Sequence, residues 1–131
     1  MLLSSLLKNV SVLSDYLDGD AKNIVNDSRM VEAGDVFVCI DGATTDGHDY
    51  ADAALKKGAV AIVCERNLEI ERQILVNDTH SAYSKMAANF YGNPSQKLRL
   101  IGVTGTNGKT TTTMLIKRIL TSIGKTVGLI G

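Results

Sequence analysis

The apolar positions along the chain change their spacing several times, and each change marks an element. Leu2, Leu3, Leu6, Leu7 and Val10 recur at helical intervals and predict a short amphipathic helix docked on the first domain. Ile24-Val25 predicts a short strand. Val36 to Ile40 is a β-branched, aromatic-bearing run of strand length, ended by Asp41-Gly42. After a polar loop, Ala43 to Asp46, Gly47-His48 leads into a predicted helix from Asp49 to Lys57. That helix is expected to bury Tyr50, Ala53 and Ala54 and to stop at Gly58, since glycine just past a helix end takes the left-handed conformation without a Cβ clash. Ala59 to Cys64 is continuously apolar, as a strand covered on both faces should be. Ile74 to Val76 predicts another strand. Asp78 or Thr79 is placed to cap a helix from His80 to Tyr91, with Tyr83, Met86, Ala87 and Phe90 on its apolar face.

Gly92-Asn93-Pro94-Ser95 holds the only proline and is the strongest breaker cluster, so the domain boundary belongs there. Beyond it, Leu98 to Val103 predicts a strand and Met114 to Ile123 a helix. Leu115, Ile116, Ile119, Leu120 and Ile123 should form the buried stripe of that helix, and Gly124 its stop. Thr126 to Ile130 predicts a second strand. The alternation defines an α/β protein: a small Rossmann-like N-terminal domain over residues 1–97, then the start of a second α/β domain over 98–131. One β-α-β unit cannot cover both faces of its own sheet. The second domain is therefore expected to be truncated, and the chain to be the front end of a longer protein or a piece cut from one.

Composition narrows the classes. The 131 residues suffice for one ordinary domain with a packed core, at 44% hydrophobic content. Fourteen basic and fourteen acidic residues balance, with no basic stripe, which argues against extended nucleic-acid binding. Cys39 and Cys64 each sit inside an apolar run and read as buried free thiols. They lack metal-ligand spacing and do not point to an oxidising compartment. The apolar opening, Met1 to Leu7, is short and is followed rather than preceded by Lys8, unlike a secretory signal. No run approaches the ~18 apolar residues of a membrane span. The expected location is cytoplasmic, without membrane insertion.

The chemistry concentrates in Gly102-Val103-Thr104-Gly105-Thr106-Asn107-Gly108-Lys109-Thr110-Thr111. Strand, glycine-rich turn, Gly-Lys-Thr and helix form the layout of a phosphate-binding loop. Successive N–H groups and a helix N-terminus face the anion. Lys109 supplies a point charge for the outer phosphates, and Thr110 is placed to ligate Mg²⁺. The loop is a variant: Val103 stands where the strict pattern has its first glycine, and the glycines at 102, 105 and 108 are spaced by three. The competing reading is a glycine-rich turn without a ligand. The run Thr110 to Thr113 is unusual for a helix start on propensity alone, yet its hydroxyls suit phosphate and metal.

Two motif blocks together carry a resemblance that covers nearly the whole chain. Thr104 to Thr111 is similar to the ATP loop of the Mur ligases and their folylpolyglutamate synthetase relatives. Upstream, Asp27-Ser28-Arg29, Val31, Gly34 to Val38, Gly42 and Asp46-Gly47-His48-Asp49 resemble the N-terminal domain of the MurE-type branch. MurF-type ligases usually carry Asp-Thr-Arg in the first block, and MurC-type ligases a His where Asn107 stands. MurD-type ligases and folylpolyglutamate synthetases lack the first block.

The resemblance implies an ATP-dependent, amide-forming ligase of peptidoglycan precursors, monomeric at full length. Its substrates would be ATP, UDP-MurNAc-L-Ala-D-Glu and an amino acid, meso-diaminopimelate or L-lysine, joined through an acyl phosphate. By the same likeness Gly105, Thr106, Asn107, Gly108, Lys109, Thr110 and Thr111 hold the ATP phosphates. Lys109 is the catalytic cation, and Thr110 or Thr111 ligates Mg²⁺. Asn26, Ser28, Ala43, Thr44 and Thr45 would bind the UDP end of the substrate, with residues 1–97 as the UDP-MurNAc domain and 98–131 as the beginning of the ATP domain. Asn26 is polar where many relatives are apolar. The second metal site, the adenine pocket and the amino-acid pocket lie later in such ligases, so the 131-residue chain alone is expected to be inactive. Competing readings are a non-catalytic nucleotide-sugar binding module, and a MurF-like or cyanophycin-type ligase. Read without the likeness, Asp27-Ser28-Arg29 is a polar turn with a local ion pair, Asp46-Gly47-His48 is a helix entry capped by Asp46, and His48 is a surface or internally satisfied histidine. The charged residues Glu65, Arg66, Glu69, Glu71 and Arg72 read as a solvated loop.

Overall fold

The computed structural model describes residues 1–130 and separates into two units, Met1–Lys97 and Leu98–Gly131. Gly131, the last residue of the expected second domain, lies outside the described residues.

Unit 1 is built on four short parallel strands, β1 (Ile24–Val25), β2 (Val36–Val38), β3 (Ala61–Cys64) and β4 (Gln73–Leu75), in spatial order 1-2-3-4. Helix α1 (Leu3–Leu6) precedes the sheet, α2 (Ala51–Lys56) joins β2 to β3, and α3 (Thr79–Phe90) follows β4. Val36 sits opposite Ala61 and Val63 opposite Ile74. That register sorts the side chains cleanly. Val36, Val38, Ala61, Val63, Ile74 and Val76 face one layer with Leu3, Leu6, Ala82 and Met86. Phe37, Cys39, Ile62 and Cys64 face the other with Val31, Ala51 and Ala54.

The strand order explains how the layers are covered. Parallel strands added always in one direction by right-handed crossovers send every connection over the same face. Helix α2 crosses there, Val31 of the β1–β2 connection is buried there, and Leu68 and Ile70 of the β3–β4 connection pack there. The opposite face has no crossover to shield it, so it takes α1 and α3 from either end of the sheet. The Asn89 side-chain amide ties those helices by donating to the Leu6 and Lys8 carbonyls at 2.9 and 2.7 Å. The outer edge of β4 is shielded too, because Leu13 donates to the Leu75 carbonyl and Leu75 to the Ser14 hydroxyl.

Several expected elements shift. The helix expected at Asp49 to Lys57 opens with a 3₁₀ turn, Gly47–Tyr50, before α2 begins at Ala51. This rotates its inner face, so Ala51 and Ala54 are buried while Tyr50 and Ala53 are exposed. The Asp78 side chain, rather than Thr79, accepts from the Ser81 N–H at 2.9 Å to cap α3. Cys39 and Cys64 are free and fully buried. Burial pushes their thiols up to about 12 and about 11.

Unit 2 contains one helix, α4 (Lys109–Ser122), and no strand among the described residues. The strands expected at Leu98–Val103 and Thr126–Ile130 do not form. A parallel strand exists only against a neighbour that takes its N–H and C=O groups, and no described segment offers one. For the same reason the expected stripe on α4 is not buried: Leu115, Ile119 and Ile123 are exposed, and Ile116 and Leu120 only half-buried. Among the described residues no helix is long and apolar enough to cross a membrane.

A candidate nucleotide-binding cavity and phosphate loop

The carboxyl ends of β1 and β2 open onto a cavity of about 560 Å³, lined by Asn26, Asp27, Ser28, Arg29, Phe37, Ile40, Thr45, Gly47 and Tyr50. Open α/β sheets usually hold ligands just outside the carboxyl ends of their strands. Here β1 ends at Val25, so the next residues, Asn26 to Arg29, form one wall. β2 ends at Val38, and the chain returns through Thr45 and Gly47 as the other.

The 26–29 wall is held firmly. The Asp27 carboxylate accepts from the Arg29 main-chain N–H at 3.0 Å, from Nε at 2.9 Å and from Nη2 at 2.7 Å. Those bonds hold its pKa down at about 2. Lys57, just past α2, donates its Nζ to the Ser28 and Arg29 carbonyls at 2.7 and 3.1 Å. Among the described residues Asp27 answers Arg29 while Lys57 contacts only carbonyls, so the wall has one surplus cation, Lys57, which backs it without lining the cavity. This suits an anionic ligand.

The opposite wall depends on Gly47. Its N–H donates to the Ile40 carbonyl at 2.9 Å. A Cβ here would lie 2.7 Å from the Ile40 nitrogen, so only glycine allows the approach. The Asp46 side chain accepts from the His48 N–H at 2.9 Å and starts the 3₁₀ turn. The same carboxylate accepts from His48 Nδ1 at 2.5 Å and pairs with Arg66 Nη1 at 2.8 Å. The two bonds from His48 are the main cause holding the Asp46 pKa at about 2. His48 is buried, and its Nε2 accepts from the Glu65 N–H at 3.0 Å.

Of the expected substrate residues, the structure brings Asn26, Ser28 and Thr45 to the cavity, while Ala43 and Thr44 lie in the adjoining exposed loop and do not line it. Phe37, Ile40, Gly47 and Tyr50 join them, and sequence reasoning gave none of these a role at the site. The hydrophobic pattern places Tyr50 on a buried helical face, whereas it is exposed at the cavity. The signal for its true place was Asp46, whose turn at His48 starts the helix early and swings position 50 outward. Glu65 is also more than a solvated charge. It accepts from the Thr79 N–H and hydroxyl at 2.7 and 2.8 Å, anchoring the first residue of α3.

In unit 2, Gly105 and Gly108 take φ of +140° and +76°, values that L side chains rarely adopt, and α4 starts at Lys109 immediately after. Among the described residues the N–H groups of Gly105, Thr106, Asn107 and Gly108 donate to no backbone oxygen. Lys109 curls its Nζ back onto the Gly105 carbonyl, so its charge sits over the loop. Thr110 and Thr111 stand in the first turn of α4.

Parallel strands with a cavity at the carboxyl ends of β1 and β2 and, in unit 2, a glycine turn at a helix start describe an α/β protein with two candidate ligand sites. Comparison makes this specific: residues 20–91 match the model of the Mur ligase family, catalytic domain, and the chain belongs to that family. A UDP-N-acetylmuramoyl-L-alanyl-D-glutamate–2,6-diaminopimelate ligase of Syntrophomonas wolfei is 46% identical over 136 aligned residues, covering 100% of this chain and 28% of the relative. The chain thus spans just over a quarter of that relative's length. Among solved structures, a UDP-N-acetylmuramoyl-L-alanyl-D-glutamate–2,6-diaminopimelate ligase matches with a TM-score of 0.66 at 28% identity, over 85% of this chain and 23% of the other. The MurF ligase of Thermotoga maritima, solved with ADP, matches with a TM-score of 0.55 at 36% identity, over 78% of this chain and 24% of the other.

Proposed function

We propose that this chain is the front portion of a MurE-type ligase, in which unit 1 receives the UDP end of UDP-MurNAc-L-Ala-D-Glu and unit 2 receives the phosphates of ATP. The observation that carries the reading is the meeting of Asn26, Ser28 and Thr45 around one cavity, at the place where open parallel sheets bind ligands. In the complete enzyme the D-Glu carboxylate takes the γ-phosphoryl group of ATP, and ADP leaves. The amine of diaminopimelate or lysine then attacks the acyl phosphate, releasing phosphate and forming the amide. The similarity to a diaminopimelate ligase favours diaminopimelate as the amine.

The residues present fit these partners. Asn26, Ser28 and Thr45 offer an amide and two hydroxyls to a nucleotide, and the surplus cation behind the 26–29 wall suits its diphosphate. In unit 2, positive-φ glycines at 105 and 108 turn the backbone before a helix start, which is how backbone N–H groups are gathered toward phosphate oxygens. Lys109 would trade its internal contact with the Gly105 carbonyl for the β- and γ-oxygens. The hydroxyl of Thr110 or Thr111 would hold Mg²⁺, which supplies further charge neutralisation during phosphoryl transfer. The protein's part is positioning and electrostatics, because the carboxylate needs only a good leaving group to become electrophilic.

Calorimetric titration tests the two halves separately. UDP-MurNAc-L-Ala-D-Glu is expected to bind the chain, and Ser28→Ala to weaken it about tenfold, the loss of one hydrogen bond to a charged or buried group. ATP is expected to bind weakly and Lys109→Ala to weaken it further. Unchanged affinity in both variants would contradict the assignment. With all three substrates at millimolar levels the 131-residue chain is expected to release no ADP, and steady release would refute that expectation.

A further inference from the structure

We infer that His48 is a positioning residue for the nucleotide cavity, holding the Thr45–Tyr50 wall to the end of β3 without touching the ligand; this rests on the reading of the cavity proposed above. The wall follows an exposed loop and is also reached by the Gly42 N–H, which donates to the Thr45 carbonyl, and by Arg66, which pairs with Asp46 and Asp49. Gly47 hangs on the Ile40 carbonyl through one N–H at 2.9 Å. One residue on, the His48 ring turns inward, with its side chain 3% exposed, and spans two partners. Its Nε2 accepts from the Glu65 N–H at 3.0 Å, so that nitrogen carries no proton. The ring proton then sits on Nδ1 and is donated to Asp46, which also receives the His48 main-chain N–H and the Arg66 guanidinium.

Glu65 is the first residue after β3, and its carboxylate in turn holds the start of α3 through Thr79. The imidazole thus joins the cavity wall, on its Asp46 side, to the sheet end, on its Glu65 side, beside the Arg66 guanidinium that pairs with Asp46 and Asp49, and it is the acceptor of the Glu65 N–H. Losing it leaves the Glu65 N–H without an acceptor and removes one of the three donors that hold Asp46. The positions that move are Thr45, Gly47 and Tyr50, all of which line the cavity.

The test compares His48→Ala, His48→Gln and His48→Asn in the 131-residue chain. Glutamine can place an acceptor near the former Nε2, whereas the shorter asparagine can only offer a donor near the former Nδ1. Met86→Ala, a core truncation in α3 on the opposite face of the sheet, serves as a control of general destabilisation. Amide hydrogen exchange reports on the wall without any ligand. His48→Ala should speed exchange at the Gly47 N–H about tenfold or more beyond any change at Val38 and Val63, consistent with the loss of one buried hydrogen-bond acceptor.

Calorimetry with UDP-MurNAc-L-Ala-D-Glu should show about tenfold weaker binding for His48→Ala, most of it restored by His48→Gln and little by His48→Asn. Met86→Ala should bind as the parent does. Uniformly faster exchange, unchanged exchange at Gly47, equal loss in all three variants, or equal loss in Met86→Ala would each overturn the inference. If the parent chain fails to bind the substrate, the reading of the cavity falls, while exchange at Gly47 still decides whether His48 holds the wall.

Discussion

Met1–Lys97 and Leu98–Gly131 meet the same backbone requirement in opposite ways. In unit 1 every strand has a neighbour to take its amides and two layers of side chains to cover it. Unit 2 has one helix and two apolar flanks that form no strand among the described residues, and Leu98, Leu100, Ile101, Ile119 and Ile123 are exposed. Helices satisfy their own hydrogen bonds, so α4 forms from local sequence. A parallel strand cannot, so its formation depends on chain far away in sequence. The difference teaches that apolar periodicity announces an element's preference, while the partner surface decides whether the element exists.

The sharpest way to break this contrast is a matched pair of truncations. Phe37→Ala removes a fully buried ring from β2 and should cost about 3–5 kcal/mol, while Ile119→Ala on α4 should stay within about 0.5 kcal/mol. Urea unfolding of the two variants measures both, and similar losses would mean that unit 2 is packed after all. A second expectation concerns the cavity wall. Gly47→Ala should destabilise unit 1 by about 1–3 kcal/mol, because a Cβ must displace Ile40 backbone rather than a flexible side chain. Thermal unfolding indistinguishable from the parent would show that the wall yields freely.

Helix starts offer a smaller test. Asp78→Ala should cost about 1 kcal/mol through loss of the α3 cap. No side chain caps α4, which begins after left-handed Gly108, so it has no such contribution to lose. The last test is acid. Asp27 and Asp46 titrate at about 2 in the folded chain against an ordinary 3.8. Their contribution to stability is therefore complete above the unfolded value and is lost as pH falls through the folded one. Melting temperature should hold down to about pH 5 and drop towards pH 2. Asp46→Asn should flatten part of that drop, and an unaltered acid profile would show that Asp46 makes no linked contribution.

Much of unit 1 was legible because its signals are local. The unbroken apolar runs at Val36–Ile40 and Ala59–Cys64 became β2 and β3, Asp78 became a cap, and Gly58 ended α2 with φ of +97°. Asn26 and Ser28 are singled out by the family resemblance rather than by a local signal, and both line the cavity. What escaped was set by tertiary geometry. Tyr50 turned outward because the helix opens with the four-residue 3₁₀ turn Gly47–Tyr50. His48 proved buried and doubly bonded because Glu65, seventeen positions on, presents its N–H there. Leu98–Val103 read as a strand because hydrophobic pattern carries no information about whether a neighbour is present.

The most direct measurement is a map of amide chemical shifts in the 131-residue chain as UDP-MurNAc-L-Ala-D-Glu is added. The account predicts saturable changes clustered at residues 26–29 and 45–50, with α4 and its flanks unmoved. Changes centred on unit 2, or none at Asn26, Ser28 and Gly47 when the ligand is in large excess, would contradict it.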